Sequence, residues 1–278
     1  MWTNELTVLV PNYNGSHFIV NTIKNIRSVI GRNADIIIVD DNSTDDSIST
    51  ITKLNVTLLK RKNSGGFAAA VNTGFKYLIK RQTKLILVFN SDALLPKDFL
   101  SRLNPYVNPI DPSIGVWGFH EQDEDIIKEN ANTSGFVFLL NAKVINEVGY
   151  LDEEFFMYGE EQEYFRRLVS LNYKIIQTKI EIAHSGEGSS LKNFPNFYFS
   201  YLAQRNSILL EIKTRNIFFV LRKVLVIFLI INKLYFPKGR RNDKSYKRIT
   251  RPNFFLRNIF FIKSIIYNVQ YLFDRSEH

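Results

Sequence analysis

Residues Val88–Leu95 read VFNSDALL, an apolar strand that ends abruptly in Asn90-Ser91-Asp92. A carboxylate at the C-terminal tip of a buried strand is rarely placed there for stability, because burial penalises its charge. In an α/β sheet that edge is where ligands bind. An oxygen ligand there suits Mg²⁺ or Mn²⁺ holding a phosphate. Asp92 alone also reads as a turn residue or a helix N-cap, since Pro96 follows and can open a helix. The flanking chain has to decide.

Working outward, Lys84–Phe89 is the strand that carries this tip, and three similar units precede it. Leu6–Val10 (LTVLV) is a buried strand ending in Pro11-Asn12-Tyr13-Asn14-Gly15. A helix from Ser16 to Val29 follows, with Phe18, Ile19, Ile23, Ile26 and Val29 near helical spacing. Asp35–Val39 (DIIIV) is a second strand, ending in Asp40-Asp41-Asn42-Ser43, and Thr44-Asp45-Asp46 suit a helix start. Val56–Lys60 is a third strand, followed by Asn63-Ser64-Gly65-Gly66 and an Ala-rich helix to about Lys80. This alternation predicts a doubly wound sheet with right-handed crossovers, which brings all these polar tips to one edge. Further along, Val116–Phe119, Ser134–Leu140 and Lys174–Thr178 read as strands and Gly159–Leu171 as a polar helix.

At 278 residues, 45% of them hydrophobic and 14% aromatic, the chain supports a real core. It has no cysteine, which excludes disulfides and thiolate metal sites. MWTNELTVLVPNYNG lacks a basic segment followed by an apolar one, so no secretory signal is expected and a cytoplasmic location is. The net charge of +9 is unevenly spread. From Arg205 onward there are 16 Lys/Arg against 4 Asp/Glu, whereas residues 1–204 carry 20 against 23. A slightly acidic globular part is followed by a strongly basic, aromatic tail.

Several constellations carry chemistry. Asp40 or Asp41 at the second tip can accept from a base N–H or a ribose hydroxyl, and Tyr13 offers a face for stacking on a base. Equally, Asp-Asn-Ser-Thr is an ordinary helix-opening turn and Tyr13 a possible core aromatic. Ser64-Gly65-Gly66 lets backbone approach a ligand, with N–H groups at the next helix start available to phosphate. It is neither Gly-x-Gly-x-x-Gly nor a Walker loop. In Phe155-Phe156-Met157-Tyr158-Gly159-Glu160-Glu161, a carboxylate beside an apolar wall can take a proton from a hydroxyl, or merely favour the helix dipole. His184, in AHSGEG, can complete a metal site begun by a distant Asp, or be structural.

The ordered series P-x-Y-N-G, V-D-D-N-S-T-D-D, N-S-G-G-F-A-A-A-V-N-T-G, N-S-D, F-F-M-Y-G-E-E and H-S-G-E-G-S-S resembles the family-two inverting glycosyltransferases of the GT-A fold. The bacterial rhamnosyltransferase-like branch is the most similar, and the likeness spans about Leu6 to Asn206. The resemblance implies that Pro11, Tyr13 and Asp41 hold base and ribose, with Asn14, Asn90 and Ser91 beside them. Gly66 and Asn72 match the stretch near the donor. Asp92 matches the last Asp of the metal-binding D-x-D motif and His184 the late metal-side His. Glu161 falls where the catalytic base belongs, with Glu160 its nearest competitor. Two residues depart from the pattern. Asn90 replaces the first Asp of D-x-D, and Glu161 replaces an Asp, lengthening its reach by about 1.5 Å, one C–C bond.

The expected protein is therefore an α/β, GT-A type transferase with a doubly wound mixed sheet over residues 1–210 and a basic, amphipathic helical region over 211–278. Its partners would be a dTDP- or UDP-sugar, a divalent metal (Mg²⁺ or Mn²⁺) and a glycan or polyprenyl-diphosphate-linked acceptor in bacterial surface polysaccharide synthesis. Ile217–Phe236 is interrupted by Arg222, Lys223, Asn232 and Lys233, and its longest apolar run falls short of the roughly 20 residues a span needs. Pro237–Pro252 is a basic loop. In Phe254–Phe273, Arg257, Ser264 and Asn268 share a narrow stripe, continued by Arg275, beside a broad apolar face. That pattern suits an anionic membrane surface, on the inner face of the cell membrane, or a helical subdomain. Long aliphatic runs argue against nucleic acid. Two rivals remain: a sugar nucleotidyltransferase, which would carry a basic Gly-rich loop after the first strand, and a catalytically silent membrane adaptor.

Overall fold

The computed structural model describes residues 2–121, 135–184, 196–214, 217–232 and 254–276. They form two compact units, one of residues 1–156 with 160–190 and one of 157–159 with 191–278.

In the first unit, β1 (Leu6–Asn12), β2 (Asp35–Asp40), β3 (Thr57–Lys60) and β4 (Leu85–Phe89) are the expected strands. β1 lies between β2 and β4, all parallel, with β3 outside β2. Alternate side chains go to opposite faces of a strand, so apolar runs with no polar interruption demand cover on both. Val8, Val10, Ile36 and Ile38 face α1 (Ser16–Ile30) through Ile19, Ile23 and Ile26. Leu9, Ile37, Val39 and Val88 face α3 (Gly66–Lys80) through Ala68, Val71, Phe75 and Leu78. A short helix α2 (Ser47–Ile51) joins β2 to β3.

Beyond β4 the sheet becomes mixed, as expected. Among the described residues it has eight strands in the order β3-β2-β1-β4-β7-β6-β8-β5. β7 (Val137–Asn141) runs antiparallel to β4, β6 (Ile114–Glu121) antiparallel to β7, and β8 (Lys174–His184) parallel to β6. β8 continues past the expected Thr178 because Ile180 and Ile182 are buried while Lys179 and Glu181 alternate outward. β5 is only Ala93–Leu94, antiparallel to β8. Ser134, the expected start of β7, lies outside the described residues. Helices α4 (Phe99–Val107), α5 (Lys143–Val148) and α6 (Glu160–Ser170) complete this unit.

The second unit contains α7 (Asn196–Thr214), α8 (Ile217–Ile231) and α9 (Phe254–Ser276), around Ile208, Val220, Ile227 and Phe261. The expected division at residue 210 falls inside α7, which as one continuous helix belongs to this unit entirely. Asn206 Nδ2 donates to the carbonyls of Met157 (2.8 Å) and Tyr158 (2.6 Å), which ties the 157–159 tripeptide here. The basic loop expected over Pro237–Pro252 lies outside the described residues. Of the polar stripe expected in α9, Ser264 and Asn268 are buried, and the side chains of Arg257 and Arg275 lie outside what is described. Ser264 donates to the Phe260 carbonyl, and Asn268 Nδ2 to the carbonyls of Ser264 and Arg205. Among the described residues no helix is long and apolar enough to cross a membrane.

Candidate active site

The tips of β1 and β2 are laced to each other. Asp40, fully buried, accepts from Asn12 Nδ2 (2.9 Å), the Ser43 amide (2.9 Å) and Ser43 Oγ (2.6 Å). Asn14, at φ 48°, accepts through Oδ1 from the amides of Thr44 (2.7 Å) and Asp45 (3.3 Å) and donates its own amide to Ser43 Oγ (2.9 Å). Asn14 thus shapes the rim of the crevice, while Pro11 and Tyr13 stand half-exposed beside it.

Asp41 is occupied from the protein side. Its buried carboxylate accepts Arg61 Nε (2.7 Å), Ser64 Oγ (2.8 Å) and the amides of Gly65 (3.0 Å) and Gly66 (2.8 Å). A carboxylate has about four lone-pair positions, and these partners fill them. The expected phosphate cradle at the start of α3 is closed for the same reason. The Gly65 and Gly66 amides are spent on Asp41, and the Phe67 amide donates to the Phe156 carbonyl (2.9 Å). Gly66 sits at φ +81°, and a Cβ there would lie 2.0 Å from the Phe156 carbonyl oxygen. Only glycine fits this left-handed, crowded position. Asn72 is likewise engaged by the protein: buried in α3, it exchanges hydrogen bonds with the backbone of Leu151 and donates to Glu153 Oε1 (2.9 Å).

At the β4 tip the chain makes a tight turn into β5, and the next helix begins only at Phe99, so Asp92 is no N-cap. Asn90 donates its amide to the Phe136 carbonyl (3.0 Å), and the Ser91 carbonyl accepts from Thr22 Oγ1. The β5–β8 ladder places Ala93 opposite His184. That register brings His184 Nε2 to 3.0 Å from Asp92 Oδ1 although 92 positions separate them. Phe136 stacks on the imidazole, ring centroids 4.8 Å apart and planes 24° from parallel.

Asp92 and His184 fit a divalent ion shared with a substrate. Adjacent ligands of an octahedral ion with bonds of about 2.1 Å lie about 3.0 Å apart, which matches the observed O···N separation. Among the described residues no cluster of three or more His, Asp or Glu surrounds that point. A diphosphate and water would supply the remaining ligands, as is usual where protein gives one or two donors.

Two neighbouring carboxyls open α6. Glu160 is buried, its Oε2 has no hydrogen-bond partner, and burial, reinforced by the charge of Glu161, raises its pKa well above the ordinary carboxylate range. A carboxyl kept protonated is a poor proton acceptor. Glu161 is half-exposed and lies against Gly135, where a Cβ would come within 2.7 Å of its Cγ and 2.8 Å of its Cδ. The preceding backbone is strained, with φ 61° at Phe156 and 72° at Tyr158, a conformation that costs energy and clusters at functional sites.

A continuous run of contacts therefore joins Glu161 to Asp92: Glu161 to Gly135, Gly135 through the chain to Phe136, Phe136 to His184, His184 to Asp92. Gly135, Phe136 and Arg61 were not expected from the sequence. A Gly-Phe pair at the head of an apolar strand is the only local signal for the first two. A cavity of about 620 Å³ lies elsewhere, at the opposite ends of β1–β4 beside Asn4, Asp35, Asn55 and Lys84, and none of the expected site residues lines it.

Residues 7–167 match the sequence profile described as glycosyl transferase family 2. The low-salt glycan biosynthesis hexosyltransferase Agl10 of Haloferax volcanii is 24% identical over 234 residues, 74% of this chain and 75% of that protein. Other curated relatives, such as the glycosyltransferase GlyG of Streptococcus pneumoniae (27% identity), are matched over less than half of their own length. Among solved structures, the mannosyltransferase PcManGT from Pyrobaculum calidifontis, in complex with GDP-Man and Mn²⁺, superposes with a TM-score of 0.64 at 14% identity. That match covers 95% of this chain and 87% of the other.

Proposed function

This chain belongs to glycosyl transferase family 2, and we propose that it moves a hexose from a nucleoside-diphosphate sugar to a glycan hydroxyl by one inverting displacement. The observation that carries this reading is the pair Asp92–His184, held at 3.0 Å and linked through Phe136 and Gly135 to Glu161. Asp92 and His184 would hold a divalent ion, which when bound offsets the charge of the departing diphosphate. Glu161 takes the proton of the acceptor hydroxyl as its oxygen bonds to the anomeric carbon. The bond to the phosphate oxygen breaks on the opposite face, so no covalent sugar–enzyme intermediate forms. Glu160, neutral by burial, supports Glu161 rather than competing with it. Pro11 and Tyr13 would receive the base, with Asn14, Asn90 and Ser91 around them, whereas Asp41, Gly66 and Asn72 would shape the crevice from behind.

The donor we favour is dTDP-rhamnose or a UDP-sugar. The acceptor is a glycan, free or polyprenyl-diphosphate-linked, in bacterial surface polysaccharide assembly at the inner face of the cell membrane. Similarity to the Haloferax glycan-biosynthesis hexosyltransferase supports the sugar class. A sugar nucleotidyltransferase is disfavoured because Pro11–Gly15 has one Gly and no Lys or Arg. A silent adaptor is disfavoured because Asp92, Glu161 and His184 are all retained.

Titrating dTDP-, UDP- and GDP-sugars into the protein by calorimetry, with and without Mn²⁺, tests the reading. Metal-dependent binding of at least one is expected. Binding of none, or binding indifferent to divalent ions, would overturn it.

A further inference from the structure

The exposed side of the second unit is apolar where a water-facing helix is polar. In α8, Phe218, Leu221, Leu225 and Phe228 are 42–66% exposed. Their spacing of three, four and three residues sets them in one stripe. In α9, Ile262, Ile266 and Val269 are 43–56% exposed, spaced four and three, again one stripe. Two polar residues of α9, Ser264 and Asn268, are inside and hydrogen-bonded to backbone. Scattered exposed apolar residues need no account, but contiguous stripes do. The two helices also touch, with Phe228 and Phe261 ring centroids 5.9 Å apart.

The charge around these stripes selects what covers them. Exposed Arg222 in α8 and Lys263 in α9 are direct sequence neighbours of stripe residues. The chain linking the two helices, residues 232–253, carries eight Lys/Arg and one Asp in sequence. A second copy would bring an identical surplus of positive charge against the first, and like charges oppose that contact. Among the described residues no helix is long and apolar enough to cross a membrane. An apolar strip with basic flanks fits the boundary between anionic headgroups and acyl chains.

We propose that the apolar stripes of α8 and α9 are the face by which this protein docks on an anionic lipid bilayer, lying in the headgroup region with Arg222 and Lys263 at the phosphates. The proposal rests on the reading of a lipid-linked acceptor only for its purpose; the surface itself stands independently of the chemistry.

The test is co-sedimentation of the full chain with phosphatidylcholine vesicles containing one-third phosphatidylglycerol, against pure phosphatidylcholine. The combined variant Leu221→Ser, Leu225→Ser, Ile266→Ser changes only exposed positions. Val169→Ser, at an exposed apolar residue of the first unit, is the control. Partition to anionic vesicles should exceed that to neutral ones at least tenfold, fall at least tenfold in the triple variant and stay unchanged in the control. Nucleotide-sugar binding, read on the same preparations, should be unaltered. Its absence in every preparation would sink the proposed activity and not the docking face. Equal partition of triple variant and parent would overturn the docking proposal, as would indifference of the parent to phosphatidylglycerol. If light scattering shows a dimer that the triple variant dissolves, with vesicle binding unchanged, the stripes join two copies instead.

Discussion

Phe136 lies flat against His184, 4.8 Å between ring centroids, on the imidazole whose Nε2 meets Asp92 at 3.0 Å. The stack fixes the ring plane, and with it the direction in which His184 offers its nitrogen. Partners that orient a ligating histidine contribute roughly 10–100-fold to ion affinity. Phe136→Ala is therefore expected to raise the Mn²⁺ concentration needed for half-maximal activity by about tenfold or more. Saturating Mn²⁺ should restore most of the rate. A loss that no concentration of ion repairs would place Phe136 in another role.

Asp92→Ala should remove divalent-ion-dependent turnover, with a fall of about a hundredfold or more. Residual activity at the parent level in chelator would refute the assignment of Asp92 and His184 to the ion.

Glu160 and Glu161 are adjacent yet should respond oppositely to the same change. Glu161→Gln is expected to lower transfer by about 10²–10⁴-fold while leaving donor binding near normal. Glu160→Gln keeps the shape of a group that is already neutral and should retain transfer. The pH dependence of stability distinguishes them further. The folded-state pKa of Glu160 is raised by burial and by the charge of Glu161, so the folded chain binds the proton that the unfolded chain releases. This favours folding fully below the unfolded pKa and is lost as pH rises towards the folded one. The melting temperature of the parent should fall relative to Glu160→Gln as pH climbs above the ordinary carboxylate range. A constant difference across that range would contradict the burial argument.

Gly135→Ala places a methyl where Glu161 Cγ and Cδ would be 2.7 and 2.8 Å away. Glu161 has to swing aside, so kcat should drop at least tenfold with the KM for donor little changed. Unaltered kcat would mean that Glu161 works from a different position.

Asp41 offers a test in which stability and binding part company. Asp41→Ala removes the carboxylate shared by Arg61 Nε, Ser64 Oγ and two amides, while Arg61 keeps its bonds to the Ala69 carbonyl and Thr73 Oγ1. Leaving those donors without the acceptor costs about 1–3 kcal/mol, readable by urea denaturation. Weakened donor binding at unchanged stability would instead show that Asp41 serves the nucleotide directly.

The strand–helix alternation of the first ninety or so residues was legible because each unit carries its own signal: an apolar run, a polar tip, a helical period. The Asp92–His184 pairing was legible through the ordered series of motifs. What escaped notice is tertiary. β5 has two residues and no period to read. β8 hides its second half behind outward Lys179 and Glu181. Arg61 looks like any basic residue after a strand until Asp41 is folded beside it, and the value of Gly135 depends entirely on what lies across from it. The polar stripe of α9 was recognised, but sequence periodicity identifies a face without saying which way it turns.

The two-residue ladder between β5 and β8 sets Ala93 against His184, one position from Asp92. Side chains alternate along a strand, so a slip of one residue would turn His184 to the far face. The ladder works as a gauge: it sets the spacing of Asp92 and His184 by register, although 92 positions of chain run between them. The connections between the intervening strands can vary in length without shifting this register, provided that β6 still carries β8 and Phe136 still lies on His184.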